Sequence, residues 1–380
     1  MKIRSKLPDV GVTIFTVMSK LAADHGAHNL SQGFPDFEVS SDLVSLVEHY
    51  MRSGHNQYAP MQGVPVLLER IAEKVRALYG AEVDPESQIT VTSGATEAMF
   101  AAISAVVRPG DEVIILEPAY DAYAPVVTLN GGRPVYRQMK YPDYRIDWDE
   151  IDDAVTDDTR LIVLNSPHNP TGKILTGEDV AALREIVQRN GLFIVSDEVY
   201  EHIIFDGAVH ESMLRDPELA ARSFVVSSFG KTYHTTGWKI GYCIAPPALT
   251  DEFRKIHQFL TFATNTPTQL AYAEFLQKKE VYLELPAFYQ NKRDMFLDLI
   301  RESRFKPLAC QGTYFQMLDY AAISDKADVA FAEWMTIEKG VAAIPPSAFY
   351  HCRDDHKVLR FCFAKKDDTL RKAAEILCQI

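Results

Sequence analysis

The sequence predicts an α/β protein with a large, mostly parallel sheet and a smaller α+β domain. Between about residues 88 and 245, short apolar runs alternate with amphipathic helical patterns, which is typical of strands buried on both faces. After Pro286 the pattern changes to one long helical stretch followed by short strands. Because 380 residues exceed the usual size of one hydrophobic core, we expect two domains. The larger should span 40–285, and the smaller should combine 1–39 with 286–380.

Short apolar runs predict the strands of the larger sheet. They lie at residues 88–92, 112–116, 161–164, 192–195, 223–226 and 239–242. Before the fourth run, Thr176 and Asp179 can form a capping box that starts a helix, and Asn190-Gly191 predicts its end. In the smaller domain the pattern predicts a helix, two strands and a closing helix, at 288–301, 313–318, 359–363 and from Asp368.

Composition and charge exclude several classes of protein. A formal net charge of -13 argues against a nucleic-acid-binding surface, which needs clustered Lys and Arg. The five cysteines are scattered and form no C-x-x-C pair, so we expect reduced thiols rather than a disulfide framework. The first residues lack the apolar run of a signal peptide, and no apolar stretch reaches the ~18 residues that span a bilayer. We therefore expect a soluble, cytoplasmic protein.

Polar and aromatic residues follow the predicted strands where the apolar runs end. In open parallel sheets, ligands bind at the carboxyl ends of the strands, so these residues should share one site. They lie at 94–96, 117–120, 165–172, 197–200 and 227–231. Together they would supply an anion site, an aromatic ring, an amide, an acid, a phenol and an amine.

The segment SSFGKTYHTTGWK (residues 227–239) contains Gly230-Lys231-Thr232, which is how a nucleotide-binding P-loop ends. That loop also needs a glycine five residues before its second glycine, and here the residue is Val225, so we exclude a P-loop. No G-x-G-x-x-G opens a helix after a strand, which argues against a standard dinucleotide site. His351-Cys352 and His356 lack a matching ligand pair, so we expect no metal site.

Two lysines in this segment need another explanation. One amine can react with an aldehyde, and a second can neutralise a phosphate. Pyridoxal 5′-phosphate requires both, and it also requires an acid at its pyridine nitrogen. Lys231 and Lys239 suit the first two requirements, and Asp197 suits the third because it follows a buried apolar run.

The motifs around these residues resemble one enzyme family. Ser228-x-x-Lys231 precedes T-G-W-K-I-G, with N-S-P-H-N-P-T-G and S-D-E-V-Y upstream and L-R-F-C-F-A-K near the end. In this order they resemble the class I/II aminotransferases, which are fold-type-I pyridoxal-phosphate enzymes with a seven-stranded sheet. N-Q-Y-A-P-M-Q-G and the whole segment 227–239 are most similar to the methionine aminotransferases and the kynurenine–glutamine transaminase group. The resemblance extends from N-L-S-Q-G-F-P-D to the C-terminal domain.

The resemblance implies roles for residues around the cofactor ring. Lys231 would form the Schiff base and act as the catalytic acid and base. Asp197 would pair with the pyridinium nitrogen, and Tyr200 would bond the phenolic oxygen of the ring. Asn169 would contact that oxygen and the substrate carboxylate, although Asn-Pro-Thr-Gly alone also predicts an ordinary β-turn. Tyr120 would stack on the ring.

Other residues would hold the phosphate and the substrate. Ala95 and Thr96 would offer backbone amides at a helix N-terminus, which favours an anion. Ser228 would add a hydroxyl and Lys239 a positive charge, where many relatives have arginine; lysine lacks the bidentate fork. In the family, the tyrosine of Y-x-P, here Tyr58, reaches the neighbouring subunit's cofactor, which implies a homodimer with shared active sites.

Two further residues would bind the substrate's α-carboxylate. Arg360 would clamp it with two hydrogen bonds, and Gly33 would offer a backbone group. The sequence provides no evident second arginine for a dicarboxylic side chain, which favours neutral substrates such as methionine, glutamine or an aromatic amino acid.

The resemblance implies ping-pong transamination between an amino acid and a 2-oxo acid. Two alternatives stay open. A C–S β-lyase would use the same cofactor and the same residues to expel a leaving group. A non-catalytic cofactor-binding regulator would need a DNA-binding module, but only about thirty residues precede Leu30 and the chain is acidic.

Overall fold

The computed structural model of the protein describes residues 3–380, which form helices and three sheets. The α-helices are, in chain order, α1 (Ile14–Asp24), α2 (Ser41–Arg52), α3 (Pro65–Tyr79), α4 (Pro85–Gln88), α5 (Gly94–Val106), α6 (Tyr123–Leu129), α7 (Trp148–Asp152), α8 (Gly177–Asn190), α9 (Pro217–Ala220), α10 (Phe229–Thr232), α11 (Pro247–Leu260), α12 (Thr266–Phe275), α13 (Lys279–Leu283), α14 (Leu285–Leu299), α15 (Asp328–Trp334) and α16 (Asp367–Leu377). The strands are β1 (His28–Asn29), β2 (Ile89–Thr92), β3 (Glu112–Glu117), β4 (Arg133–Gln138), β5 (Thr159–Asn165), β6 (Phe193–Asp197), β7 (Ser223–Ser228), β8 (Gly241–Ile244), β9 (Lys306–Pro307), β10 (Phe315–Asp319), β11 (Val341–Ala342) and β12 (Val358–Cys362).

Seven strands form the large sheet, in the order β2-β8-β7-β6-β5-β3-β4. From β7 across to β4 neighbouring strands run parallel, whereas β8 is antiparallel to both β7 and β2. This confirms the predicted α/β class and the mostly parallel, seven-stranded sheet. The sequence does not predict the edge strand β4, because RPVYRQ is only half-buried and contains no apolar run.

The predicted strand ends need two corrections. Strand β8 begins at Gly241, two residues later than the predicted 239–242, because Lys239 has a left-handed φ of 53° and follows a 3₁₀ turn. In contrast, β5, β6 and β7 extend past their apolar runs. The last residues of these strands are therefore Asn165, Asp197 and Ser228. The hydrogen bonds of the sheet hold their backbone in place.

Strands β3 and β5 place alternate side chains in two separate apolar cores. Val113 and Ile115 belong to one core, and Ile114 and Leu116 belong to the other. All four are buried, which is why these strands appear as continuous apolar runs in the sequence. Burying each such side chain stabilises the fold by about 1.5–3 kcal/mol, so the central strands are fixed in register and direction.

Helix α8 connects β5 to β6 and begins with the predicted capping box. The Thr176 N–H donates to Asp179 Oδ2 at 2.8 Å, and the Asp179 N–H donates to Thr176 Oγ1 at 3.2 Å. Gly191 ends the helix with a φ of 69°, a conformation that glycine adopts without steric cost. The chain then enters β6, where Asn165 of β5 and Asp197 lie side by side in parallel register.

The rest of the chain builds two smaller sheets. Strands β9, β10 and β12 form an antiparallel sheet, and β1 pairs in parallel with β11, which ties the N-terminal segment to the C-terminal part. This pairing agrees with joining 1–39 to 286–380, but the domain boundaries themselves stay a prediction. Within residues 3–380, no helix combines the length and apolar character needed to cross a bilayer.

Candidate active site

A cavity of ≈ 340 Å³ lies at the carboxyl ends of the large sheet, beside β12 and the N-terminal segment. Every residue predicted for the site except Tyr58 lines it. These residues are Gly33, Ala95, Thr96, Tyr120, Asn169, Asp197, Tyr200, Ser228, Lys231, Lys239 and Arg360. Strand ends supply most of them, because parallel strands direct their carboxyl ends to one edge of the sheet.

Tyr58 is the predicted site residue that lies outside the cavity. Its side chain is 85% exposed, and its ring meets Phe262 edge to face with centroids 5.5 Å apart. Phe259, at the end of the neighbouring helix α11, is also exposed. Tyr58 therefore reaches no part of the site in its own subunit.

Lys231 projects into the cavity from α10, a single helical turn that directly follows β7. Its Nζ donates to the Tyr314 hydroxyl at 3.0 Å and to the Gly33 carbonyl at 3.3 Å. Burial lowers the pKa of Lys231 to about 8, and the positive charges of Arg360 and Lys239 act in the same direction. About a tenth of this amine is therefore unprotonated at pH 7, far more than for an ordinary lysine, and the unprotonated form is the nucleophile.

Asp197 is a buried carboxylate at the end of β6. It accepts hydrogen bonds from the Tyr123 hydroxyl at 2.7 Å and from the Val199 N–H at 3.3 Å. No lysine or arginine between residues 3 and 380 lies within 4 Å of it. Burial raises the pKa of Asp197 to about 6, although the bond from Tyr123 opposes this shift. An acid in this state favours a cationic partner supplied from the cavity.

Asn165 connects Asp197 to the loop that follows β5. Its Nδ2 donates to the Asp197 carbonyl at 2.8 Å, and its Oδ1 accepts the Asn169 N–H at 2.8 Å. Asn169 in turn accepts a bond from Arg360 through its own Oδ1, at 2.7 Å. Asn165 and Asn169 therefore connect the backbone of Asp197 at the end of β6 to the guanidinium of Arg360.

Arg360 lies on β12 and is completely buried. Besides Asn169, it bonds the Ser31 carbonyl through Nη2 at 3.0 Å, and its guanidinium stacks 3.9 Å from the centroid of the Phe315 ring. Its Nε has no partner in the described part of the chain. Burial lowers the pKa of Arg360 to about 10, so it stays positive at neutral pH and is available to a carboxylate.

The opposite end of the cavity is shaped for an anion. Helix α5 begins at Gly94, whose φ of 75° suits glycine, and its first residues, Gly94, Ala95 and Thr96, line the cavity. A Cβ at Gly94 would lie 3.1 Å from the Lys239 ammonium, so glycine allows the lysine to approach the helix N-terminus. With Ser228 beside them, these groups combine a helix dipole, a positive charge and a hydroxyl.

Aromatic rings form the walls between the two ends. Tyr120 lies 6.4 Å from Phe15 and packs edge to face against Tyr123, with ring centroids 5.7 Å apart. Burial raises the pKa of Tyr120 to about 12, so it stays neutral. Tyr200, three residues after Asp197, is buried and packs edge to face on Tyr314 at 5.1 Å.

Sequence reasoning placed Asn165 in a segment of the site without giving it a role, and it missed several other residues that line or brace the cavity. They are Phe15, Gln32, Tyr123, Tyr314 and Phe315. Two of them could have been found, because Tyr123 lies three residues after the segment 117–120 and Gln32 directly precedes Gly33. Phe15, Tyr314 and Phe315 come from distant parts of the chain, and no local pattern places them here.

The relatives found by comparison with known proteins are aminotransferases. The sequence model of the family "Aminotransferase class I and II" matches residues 27–377. The methionine aminotransferase of Escherichia coli (strain K12) is 52% identical over 380 residues, which cover 99% of this chain and 98% of that protein. The kynurenine–oxoglutarate transaminase of Dictyostelium discoideum is 35% identical and covers 97% of this chain and 94% of its own length.

Solved structures agree with these sequence relationships. A crystal structure from Escherichia coli, described as having a methionine aminotransferase function, superimposes with a TM-score of 0.98 at 51% identity and covers 100% of both chains. The N-succinyldiaminopimelate aminotransferase from Mycobacterium tuberculosis has a TM-score of 0.95 at 36% identity, again with both chains fully covered.

Proposed function

The chain belongs to the aminotransferases of class I and II, and we propose that its amino donor is a neutral amino acid, with methionine the first candidate. The family has fold type I and uses pyridoxal 5′-phosphate, so this chain is a pyridoxal-phosphate-dependent aminotransferase. One observation carries the substrate proposal. Arg360 is the only arginine among the described residues lining the cavity, so no second arginine is available there to bind a carboxylate on the substrate side chain. Phe15, Met99 and Phe315 instead form an apolar part of the cavity wall.

The residues of the cavity fit the cofactor at each of its functional groups. Lys239 and the start of α5 match a phosphate, and Lys231 has the lowered pKa that attack on an aldehyde requires. Asp197 is buried without a cationic partner, which matches a protonated ring nitrogen. When bound, pyridoxal phosphate supplies an aldehyde that exchanges amino groups and a ring that accepts electron density from the substrate Cα.

The remaining steps belong to side chains of the protein. We assign to Arg360 the binding of the substrate carboxylate, because its Nε is free and its charge is buried. Asn169 and the Gly33 loop would orient the same carboxylate. Lys231, once released from the cofactor, would take up the Cα proton on its Nζ and would deliver it to the C4′ carbon of the cofactor, two bonds from Cα. Holding these groups on strand ends supplies the orientation that such a proton shift requires.

Asp197 and Tyr200 would act on the ring of the cofactor. The Asp197 carboxylate would keep the ring nitrogen protonated by ion pairing, and the Tyr200 hydroxyl would bond the phenolic oxygen. Tyr120 would pack on the ring face, and Ser228 would bond the phosphate beside Lys239. The positions of these residues at the cavity and their chemistry support the proposed roles, and substitution can test each of them.

We also propose a homodimer in which Tyr58 completes the phosphate site of the partner subunit. The exposed positions of Tyr58, Phe259 and Phe262 support it, because these aromatic rings are available to a second copy of the chain, and Tyr58 packs against Phe262. Mixing Lys231→Ala subunits with Tyr58→Ala subunits gives hybrid dimers with one intact site. Activity should then recover to roughly a quarter of wild type, since half of the dimers are hybrids. No recovery would contradict shared sites.

We further propose a cytoplasmic location, supported by five cysteines that are all free in the structure. Localisation of a tagged chain by fractionation would test it, and recovery with the membrane fraction would contradict it.

A half-reaction assay tests the substrate proposal. Adding methionine, glutamine, phenylalanine or aspartate to the holoenzyme converts the aldehyde form to the amine form, which changes the visible absorbance. We expect methionine to react fastest and aspartate slowest, and the reverse order would contradict the proposal.

Lys231→Ala should lower the rate on the order of 10⁴-fold, whereas exposed Lys255→Ala should not change it. Pyruvate and ammonia formed from cystathionine without an oxo acid would indicate β-lyase activity instead.

A further inference from the structure

We propose that Tyr314 is a further catalytic residue: its hydroxyl oxygen accepts a hydrogen bond from the Lys231 amine whenever that amine is not bonded to the cofactor. The inference rests on the proposed role of Lys231. It concerns the part of the cycle in which the lysine is free, and it assigns the group that then determines where the amine lies and how readily it releases its proton.

The hydrogen bonds around Tyr314 determine the direction of this contact. The Tyr314 hydroxyl donates its single proton to the Gly33 carbonyl at 2.6 Å. Burial raises the pKa of Tyr314 well above its ordinary value, so the phenol keeps that proton at neutral pH. The oxygen can therefore act toward Lys231 Nζ, 3.0 Å away, only as an acceptor.

The Tyr314 ring cannot move away from the amine without breaking other packing. It is completely buried and packs edge to face against Tyr200 at 5.1 Å and against Phe315 at 4.9 Å. The ring of Tyr289 lies 5.7 Å away on α14. Tyr314 therefore presents its oxygen at a fixed point, and a released Lys231 amine returns to that point.

An acceptor stabilises a charged ammonium more than a neutral amine, because charge-assisted hydrogen bonds are stronger. Tyr314 thus opposes the burial that lowers the pKa of Lys231. The charges of Cys362 and Asp197 also raise the pKa of this amine, and those of Arg360 and Lys239 lower it. The ring of Tyr200 lies 5.5 Å from the amine. Removing the Tyr314 hydroxyl leaves these groups in place and should lower the pKa of the lysine further.

The test uses the cofactor-free protein and pyridoxal 5′-phosphate as the probe. Only the unprotonated amine attacks the aldehyde, with loss of water, and borohydride then reduces the new bond so that peptide mass spectrometry locates it. In the wild-type protein, the rate of attachment at Lys231 should rise with pH around a midpoint of about 8. In Tyr314→Phe the midpoint should lie about one pH unit lower, which makes attachment near pH 7 several-fold faster.

Tyr320→Phe is the matched control. Tyr320 is also completely buried and also donates to a backbone carbonyl, that of Lys326 at 2.9 Å, but it does not line the cavity. Its midpoint should equal that of wild type. An unchanged or higher midpoint in Tyr314→Phe would overturn the proposal. Failure of the wild-type protein to attach the probe at Lys231 would instead overturn the proposed role of the lysine.

A second substitution covers the case in which Tyr314→Phe does not fold. Incorporating 3-fluorotyrosine at position 314 preserves the ring packing and the bond to Gly33 but weakens the oxygen as an acceptor. The midpoint should then shift in the same direction as in Tyr314→Phe, by a smaller amount. A midpoint equal to that of wild type would contradict the proposal.

Discussion

Two buried carboxylates four residues apart, Asp197 and Glu201, occupy opposite electrostatic environments. Among the described residues, the Asp197 carboxylate accepts hydrogen bonds only from the Tyr123 hydroxyl and the Val199 N–H, and burial raises its pKa to about 6. Glu201 is buried to the same degree, and burial alone would raise its pKa too. The positive charge of Lys74 outweighs that effect and holds the pKa of Glu201 well below its ordinary value.

Side chains of the protein itself bind both carboxylate oxygens of Glu201. Lys74 Nζ lies 2.7 Å from one carboxylate oxygen and also donates to the Tyr242 hydroxyl at 2.9 Å, while Tyr79 donates to the other oxygen. The ammonium lies 5.6 Å from the centroid of the Tyr242 ring. Every charge in this group has its partner, so its contribution is structural: it fixes α3 against the loop that follows β6.

The comparison shows what distinguishes a binding carboxylate from a structural one. Both are buried, so burial alone does not identify the functional residue. Glu201 has a cation of its own, whereas Asp197 faces a cavity with none within 4 Å among the described residues. An uncompensated buried charge destabilises the free protein, and a cationic ligand that enters the cavity relieves the penalty. This is the property expected of the residue that pairs with the ring nitrogen.

The largest effect on stability should come from breaking the ion pair between Lys74 and Glu201. Lys74→Met leaves the Glu201 carboxylate buried and unpaired, which should lower the free energy of unfolding by about 3–5 kcal/mol. Urea denaturation measures it. The double variant Lys74→Met/Glu201→Gln should recover most of the loss, because no charge is left buried alone. Lys278→Met, which breaks an exposed pair with Asp42, is the control and should leave stability essentially unchanged. A similar loss in both single variants would contradict the comparison.

Removing the unpaired carboxylate of Asp197 should lower activity. Asp197→Asn is nearly the same size but cannot pair with a ring nitrogen, so kcat/KM for methionine should fall by roughly 10²–10³-fold. Steady-state kinetics on the cofactor-saturated protein measure the effect. Glu201→Gln, the equivalent change four residues away, should reduce the yield of folded protein far more than the kcat of the molecules that fold. Equal kcat values for the two variants would show that the distinction between the carboxylates is wrong.

A smaller change should shift the pH dependence of cofactor binding. Tyr123→Phe removes a donor that favours the ionised form of Asp197, so the pKa of Asp197 in the free protein should rise above about 6. Because pairing needs the carboxylate, cofactor affinity falls as pH decreases through this pKa. The fall should begin about one pH unit higher in Tyr123→Phe than in wild type, as measured by fluorescence titration. Coincident curves would contradict the role of Tyr123.

Much of this architecture is predictable from the sequence. Strands buried on both faces produce continuous apolar runs, so the sequence predicts β3, β5, β6 and β7. The half-buried edge strand β4 has no such run and was missed. In the site, Lys231, Asp197 and Arg360 are in motifs whose residue types are specific to the chemistry.

The missed residues show the limit of such reasoning. Tyr123 and Tyr314 act through one hydroxyl each, and their partners lie 74 and 83 residues away along the chain. The difference between Asp197 and Glu201 depends on Lys74, which lies on a helix more than 120 residues upstream. These contacts arise from tertiary packing, and nothing in the local pattern D-E-V-Y-E separates its two end carboxylates.

The unfolding free energies of wild type and Asp197→Asn, each with and without pyridoxal phosphate, test the central claim most directly. An acid whose pKa rises on folding from 3.8 to about 6 destabilises the fold by about 3 kcal/mol above pH 6, and this penalty disappears below pH 3.8. At pH 7.5 the cofactor-free Asp197→Asn protein should therefore be more stable than wild type, and saturating cofactor should reverse the order. If Asp197→Asn is less stable than wild type without cofactor, or if the cofactor raises its unfolding free energy as much as that of wild type, then Asp197 is not an unpaired charge that the cofactor neutralises.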